Sequence, residues 1–375
     1  MSPSVAIRGA GAAGLSFAHA LLRRMPEVKV SVFDKRARLP HPQRTFCFFA
    51  DAGAICPVPP AHSWSKVSFS GKDFSRSLDC SHAPYSLTHG QDFFQGMLNK
   101  LEGLGVTFVW DCDDVSISEH AVEFNGHRSS FDVVVDAAYS QAGQTAILWQ
   151  SFAGLWVESE TAVFHPDEAL LMGLEESNAT DAVKFAYVLP TSSHTALIEY
   201  TSYSEAPLPP SHHLQQCRTW LKDRGLDSLR ETAFESGAIP LGMEVSPSVN
   251  GVYRIGSGGG AIRASTGFAY QAIQRQSEEL AQQIESQFER GDNSRIQQAR
   301  TFPKWMEVCD RLFLQALANA PRQGANMMAE LLGKAPAHQL VKFLSGQATI
   351  LEALRVMVHV PKLKMIEALL LGKAA

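Results

Sequence analysis

The chain has no Cys-x-x-C pair among its six cysteines (Cys47, Cys56, Cys80, Cys112, Cys217, Cys309). That spacing argues against a zinc site or a disulfide framework and suits a reducing, cytoplasmic setting. No uninterrupted apolar run reaches the roughly 18 residues a bilayer-spanning helix needs. Positive charge is in deficit: 33 Lys and Arg against 38 Asp and Glu give a formal charge of −5. A general basic face for nucleic-acid phosphates is therefore not expected. The 13 histidines show no metal-ligand grouping, and His212-His213 reads as a solvated loop. Internal repeats and low-complexity tracts are missing, and a strand-like run from Ser4 leaves no room for a signal peptide. What remains is ordinary globular composition, 45% hydrophobic and 19% charged, with length enough for two interleaved domains.

Ser4 to Arg8 is a short β-rich run, and Gly9-Ala-Gly11-Ala-Ala-Gly14 follows it. Leu15 to Arg24 reads as an amphipathic helix and Val28 to Phe33 as a second strand ending at Asp34, a βαβ unit of about thirty residues. Pro40 and Pro42 break this pattern before an aromatic cluster, Arg44-Thr-Phe-Cys-Phe-Phe49. Residues 91 to 103 look helical, and 106 to 110, 114 to 124 and Phe131 to Asp136 look like strands. Alternating strands dominate from Trp149 to about Pro240, notably Lys184 to Pro190 and Thr195 to Ser202, with a helix near 213 to 223. A Gly-rich segment, Ile255 to Gly267, then opens a helix from about Tyr270 to Glu289, and the remainder reads as helical. The expected fold class is α/β. A discontinuous Rossmann-type FAD-binding domain (1–40, 82–140 and 245–290) holds an inserted β-rich substrate domain (41–81 and 141–244). A helical C-terminal region (291–375) completes the chain.

A lone G-x-G-x-x-G is a weak signal, but here it follows a strand, opens a helix, and precedes Asp34 at the end of the next strand. Gly9 allows the tight turn, Gly11 lets backbone approach a pyrophosphate, and Gly14 lets the helix pack on the strand. The helix N-terminus adds N–H donors and a partial positive charge, and Asp34 would accept ribose hydroxyls. This fingerprint alone does not separate FAD from NAD. Two further segments favour FAD: the strand Val133-Val-Val-Asp136-Ala137, and the turn Gly256-Ser-Gly258-Gly259-Gly260 leading to Ser265-Thr266-Gly267. A second backbone-rich turn of this kind can meet the flavin end of an extended FAD. Arg44 completes the candidate cofactor-binding set.

Several segments, in order, resemble the lycopene β-cyclase family. Arg44-Thr-Phe-Cys-Phe-Phe49 is similar to its "Thr-Trp-Cys-Phe-Trp", and Glu235-Ser-Gly-Ala-Ile-Pro-Leu241 to its "Glu-x-Gly-x-Ile-Pro-Met". Phe185 to Pro190 with Ala196-Leu-Ile-Glu199-Tyr-Thr201 resembles the paired central strands. Gly256 to Tyr270 and the run Phe343 to Lys362 also match family segments. The resemblance implies a flavin-dependent isomerisation with no net redox change. A terminal double bond of an acyclic end is protonated, the carbocation closes a six-membered ring, and a proton is lost. It implies reduced FAD as the active form, NAD(P)H as a candidate reductant, and a hydrophobic polyene or terpenoid substrate. Glu199 matches the family's catalytic glutamate and lies in an otherwise apolar strand, where an unpaired carboxylate is costly. Glu235 is a second candidate acid. Phe46, Phe48, Phe49, Trp149 and Tyr187 are candidates to line an apolar tunnel through their π-faces; plain core packing is the competing reading for each.

The chain also departs from that family. Leu171-Met172-Gly173-Leu174 stands where many bacterial members have "Leu-Met-Asp-Phe", so either the pocket differs or Glu175 or Glu176 stands in for the aspartate. An FAD monooxygenase, a halogenase, a polyprenyl reductase and a non-catalytic flavin- or carotenoid-binding protein remain open, although the halogenase Trp-x-Trp-x-Ile-Pro motif is missing. Ile350, Leu351, Leu354, Met357 and Val358 fall near one helical face, and Pro361, Lys362, Lys364 and Lys373 flank the apolar run Ile366 to Leu371. A membrane-surface helix pair and an ordinary amphipathic cover both fit this pattern.

Overall fold

The structure is a computed structural model describing residues 2–38, 43–112, 115–139, 145–178, 181–246, 248–291, 296 and 300–371. Pro40, Pro42 and Lys373 lie outside the described residues. The chain opens on strand β1 (Ser4–Arg8), helix α1 (Ala12–Arg24) and strand β2 (Lys29–Phe33). Five strands follow: β3 (Thr45–Phe49), β4 (His62–Trp64), β5 (Lys66–Gly71), β6 (Phe74–Asp79) and β7 (Tyr85–His89). After helix α2 (Gly90–Gly103) come β8 (Thr107–Val109), β9 (Ser116–Ser118), β10 (Ala121–Phe124), β11 (His127–Ser130) and β12 (Val133–Asp136). Four long strands are next: β13 (Leu148–Glu158), β14 (Glu168–Glu175), β15 (Asp181–Pro190) and β16 (Thr195–Ser204). Helix α3 (Pro210–Lys222) leads to β17 (Arg230–Leu241), β18 (Ser248–Val249) and β19 (Val252–Arg254). The rest is helical: α4 (Tyr270–Arg290), α5 (Lys304–Asn319), α6 (Gly324–Lys334), α7 (Ala337–Leu344), α8 (Ile350–Met357) and α9 (Lys362–Leu371).

A six-stranded sheet, ordered β18-β19-β12-β1-β2-β8, carries the nucleotide-fold elements, and β1 pairs in parallel with both β2 and β12. Val5, Ala6 and Ile7 are all fully buried, as a parallel strand covered on both faces requires. Val5 and Ile7 pack on α1, α2 and α4, while Ala6 packs under the small β9–β11 sheet beside Val122. Helix α1 starts at Ala12, three residues before the expected Leu15, because Gly14 must lie within its first turn to pack against Gly9.

The seven-stranded sheet, ordered β17-β13-β16-β15-β14-β5-β6, is antiparallel except where β14 meets β5. Its alternating side chains divide between two environments. Leu155, Ala196, Ile198 and Tyr200 face helix α3 with Cys217, Trp220 and Leu221. Phe185, Leu189, Leu197 and Tyr203 face the other way, toward Tyr85, Leu87, Leu314 and Met327. That second face lies beneath a three-stranded sheet, β3-β7-β4, and the C-terminal helices. The sheets distribute segment 41–81 differently from the domain borders expected above: β5 and β6 join the large sheet, whereas β3 and β4 pair with β7.

His213 corrects the expectation of a solvated loop at 212–213. It is fully buried on α3, with Nε2 3.1 Å from Ser151 Oγ. Burial, and then neighbouring His212, lower its pKa to about 4 against an opposing effect of Asp181, so the ring is neutral at physiological pH.

Candidate active site

The two Gly-rich segments, more than two hundred residues apart, meet in space. Gly9 adopts φ +105°, and a side chain on it would strike the backbone of Ala137 and Ala138 at the end of β12. Gly256, opening the second turn, lies against α1, and a Cβ there would be 2.7 Å from the Ala13 methyl. Its N–H donates to Gln276 Oε1 on α4 at 2.7 Å. Gly258 follows close by, its nearest neighbour being Ala138 O, and Gly259 has no room for a side chain against Arg254 O. Gly11 faces open space: nothing lies within 4 Å of where its side chain would be. Helix α1 has neither a side-chain cap nor an acidic residue in its first turn, leaving its N–H groups and positive dipole end for an anion. This cradle fits the pyrophosphate of a dinucleotide.

Asp34 is buried, and both of its oxygens are engaged. Oδ2 accepts from the Ala10 N–H (2.6 Å) and Arg36 Nη2 (2.7 Å). Oδ1 accepts from the Arg36 N–H (2.8 Å) and Nε (2.9 Å). Burial alone would raise the Asp34 pKa, but Arg36 and the Ala10 N–H outweigh it and hold the carboxyl below its usual range. A ribose would therefore share Asp34 with Arg36. Asp136 is likewise committed within the protein, accepting from Arg8 Nε (2.9 Å) and Nη2 (2.6 Å) and from the Ala138 N–H (3.2 Å). It fixes the backbone against which Gly9 packs. Arg44 accepts the Gly90 N–H at its carbonyl. Its guanidinium pKa is lowered by burial and Arg36 and raised by Glu235, which puts it within electrostatic reach of both.

The second turn contacts the large sheet and the C-terminal helices. A side chain on Gly267, at φ +71°, would collide with the Gln150 amide on β13, and Tyr203 on β16 donates to Ser265 O at 3.4 Å. Thr266 Oγ1 donates to Leu344 O at 3.5 Å. Beside it, buried Arg263 pairs with buried Asp310 on α5 through Nε (3.1 Å) and Nη2 (3.2 Å). Asp310 also lies 3.4 Å from the Ser265 N–H. The helical C-terminal region is thus built into the wall of the site.

On the sheet face toward β3 and β7, one row holds the two carboxylates. Gly154 on β13 pairs with Glu199 on β16 and with Glu235 on β17, and Glu199 pairs with Tyr187 on β15. Two strand spacings put the glutamate Cα atoms about 9.5 Å apart, with no side chain between them. Glu235 accepts from Thr45 Oγ1 (2.7 Å) and Trp156 Nε1 (3.4 Å). Glu199 accepts from Thr201 Oγ1 at 3.1 Å. Glu199, Tyr187, Phe152, Trp156, Thr45 and Cys47 each retain partial exposure although they lie between two sheets, which describes an internal recess. Burial, reinforced by Glu235, pushes the Glu199 pKa up to about 8. Burial also raises Glu235, but Thr45 and Trp156 donate to its ionised form and counter the effect. The Cys47 thiol and the Tyr85 and Tyr187 hydroxyls are raised well above their usual values, primarily by burial, and stay neutral.

The five candidate tunnel aromatics divide by strand alternation. Phe49 lies near Tyr85 and Phe268, with ring centroids 5.0 and 6.2 Å apart, and Tyr187 lies beside Glu199. Phe46 and Phe48 point the opposite way, stacking on Tyr270 at 5.2 and 4.6 Å in the nucleotide-fold core. Trp149, an odd number of residues from Gly154 on β13, falls on the α3 face. These three do not line the recess; a period of two sends them to the other side of their sheets. Gly173 pairs with Ala186, and a side chain there would meet Leu170 and the Ala186 carbonyl on the α3 side. Glu175 accepts from Tyr200 OH on that same side (2.7 Å), and Glu176 pairs with Lys72 at the surface. Neither glutamate reaches the Glu199 row. Thr45, Phe152, Gly154, Trp156 and Thr201 were not singled out from the sequence. Only Thr45 and Thr201 sat inside quoted motifs; the others carry no pattern apart from strand alternation.

Comparisons with known proteins agree with this architecture. A geranylgeranyl bacteriochlorophyll reductase-like protein from Thermoplasma acidophilum matches with a TM-score of 0.60 at 12% identity, over 99% of this chain and 100% of that one. A flavoprotein/dehydrogenase from Cytophaga hutchinsonii matches with a TM-score of 0.60 at 10% identity, over 100% of both chains. A triple mutant of a flavin-dependent brominase reaches a TM-score of 0.61 at 14% identity, over 94% of this chain and 97% of that one. At such identities the likeness shows the fold alone, which is the Rossmann-type flavoprotein fold. No curated protein sequence matches the chain. The family model described as lycopene cyclase protein matches residues 4–370, and the chain belongs to that family.

Proposed function

We propose that this protein is an FAD-dependent, non-redox cyclase that closes a β-ring on the acyclic end of lycopene or a related polyene. The observation that carries this reading is Glu199, a carboxyl with its pKa pushed up to about 8, in a recess next to the second Gly-rich turn and across from Glu235. Reduced FAD, when bound, supplies an electron-rich ring that favours a nearby developing carbocation; NAD(P)H is the reductant in this reading. Gly9, Gly11 and Gly14 would hold its pyrophosphate, Asp34 its ribose, and the turn Gly256 to Gly267 its ring end.

Glu199, protonated at neutral pH, gives its proton to the terminal alkene carbon. The apolar walls keep water from the cation, and the ring faces of Phe152 and Trp156 stabilise it. The proton lost from the closed ring returns to the carboxylate pair, so no electrons or atoms are consumed. Anaerobic incubation of the reduced, FAD-loaded protein with lycopene tests this reading. The expected product is cyclic and has unchanged mass. A product heavier by two hydrogens would assign a reductase, and one carrying added oxygen or halogen a monooxygenase or halogenase.

Substrate access is the second part of the proposal. Leu351 and Leu354 on α8, Val358 just after it, and Leu363, Ile366 and Leu370 on α9 are each more than half exposed. Arg355, Lys362 and Lys364 flank them against the exposed Glu367 of α9, and Glu352 is turned inward to Lys342 and Thr349. An apolar ridge with a basic border suits the surface of an anionic lipid leaflet, where a water-insoluble polyene is dissolved. No helix among the described residues is long and apolar enough to cross a membrane.

A further inference from the structure

We infer that Gly154 is the positioning residue that lets Glu199 and Glu235 act on each other across β13 as an electrostatically coupled pair. The inference deepens the cyclase reading and depends on it only for its activity arm. A glycine in the middle of an eleven-residue strand costs stability and needs a reason. Backbone conformation is not that reason, because Gly154 lies outside the left-handed region that favours glycine. Space is the reason. The volume its side chain would fill is occupied from β16: Leu197 Cδ1 comes within 2.8 Å of the position a Cβ would take, and Glu199 Cβ within 3.3 Å. The Leu197 methyl and the Glu199 Cβ therefore pack directly on the bare β13 backbone that separates Glu199 from Glu235. Gly237 and Gly71, on the same face, have a different explanation, since the Phe152 and Phe74 rings each come within 2.7 Å of the same construction. Bare backbone between two carboxylates is thus specific to the Glu199–Gly154–Glu235 row.

Other groups around the pair cannot replace this coupling. Cys47 on β3, Tyr85 on β7, Tyr187 on β15 and Cys217 on α3 interact with Glu199, and burial keeps all four neutral. Arg44 and His89 act on the Glu235 side and favour its ionised form. Thr45, Trp156 and His89 thus favour the charged form of Glu235 against the burial that raises it, and a charge there favours the proton on Glu199.

The test follows the infrared carbonyl band of the protonated Glu199 carboxyl against pH in the FAD-loaded protein without substrate. The band is identified by its loss in Glu199→Gln. Gly154→Ala inserts a methyl that props Glu199 away from β17, so the titration midpoint should fall below that of the wild type. In a Glu235→Gln background the same substitution should leave the midpoint where it was. An unchanged midpoint in Gly154→Ala, or an equal fall with and without Glu235, overturns the proposal. Should Gly154→Ala lose its flavin, Leu197→Ala with Gly154→Ala, compared with Leu197→Ala alone, carries the same measurement after removing the nearest clash. In the activity arm kcat for lycopene should drop about tenfold at unchanged KM. A shifted midpoint in a protein with no lycopene turnover would keep the pair and refute the cyclase reading.

Discussion

Glu199 and Glu235 occupy one row of the same sheet on opposite sides of β13, yet the fold treats them unequally. Among the described residues Glu199 has one hydroxyl donor, Thr201, whereas Glu235 has Thr45 and the Trp156 N–H. Burial raises both carboxyls, and the larger set of donors opposes that rise at Glu235, an asymmetry by which a site can assign acid and base roles.

Replacing Glu199 by Gln keeps its shape and removes proton transfer. Turnover should fall about 10²–10⁴-fold with FAD content unchanged. In the wild type the protonated form is the active acid, so kcat should decline as pH rises through about 8. Glu235→Gln should move that decline to lower pH, since it removes a charge that raises Glu199. A flat pH–rate profile in the wild type would move the acid role elsewhere.

The same shift bears on stability. The Glu199 pKa in the folded protein lies above the ordinary carboxylate value, so its stabilising contribution is present at low pH and is lost as pH rises through about 8. Glu199→Gln carries no charge at any pH. Its melting temperature relative to wild type should therefore increase from about pH 5 to about pH 8 and level off above that, measured by thermal denaturation at matched flavin loading.

At the nucleotide end, Asp34→Ala should weaken FAD retention, read from the visible absorbance of the purified protein. Arg36→Ala should retain FAD, because it frees the Asp34 oxygens that Arg36 now occupies. Loss of flavin from Arg36→Ala with retention in Asp34→Ala would reverse the two roles.

Gly173→Asp should leave lycopene turnover and substrate preference unchanged, because the added carboxylate would point to the α3 side of the sheet. Glu176→Gln should do the same, its only described partner being Lys72 at the surface. A large rate change from either would show that the pocket extends through the sheet.

Leu354→Glu combined with Leu363→Glu should reduce binding to anionic phospholipid vesicles at least about tenfold in a flotation assay, without altering flavin content. Neutral vesicles, or raised salt, should weaken wild-type binding as well, since the basic border contributes through screened attraction.

Several of these features were legible in the residues themselves. Local βαβ order, the Gly9–Gly14 spacing and the buried strand Val133 to Asp136 depend on short-range sterics and on hydrophobic period, which a linear string displays. So did the expectation that Glu199 is unusual, because a carboxylate in an apolar strand is a local anomaly. Other features depended on which strand lies beside which, and no local pattern encodes that. The placement of Glu235 opposite Glu199 requires β13 to lie between β16 and β17, and only then does Gly154 acquire a purpose. The same dependence misassigned Phe46, Phe48 and Trp149: each is apolar and near a motif, but a one-residue difference in strand phase sends its ring to the opposite face. Asp310 reaches the second Gly-rich turn only by long-range packing against Arg263. The sequence alone therefore determined the kind of fold and the position of its first Gly-rich turn, because steric rules for turns act on neighbouring residues. The tertiary structure alone decided which side chains meet in the recess and how their charges differ, because burial and cross-strand register are properties of the assembled sheets.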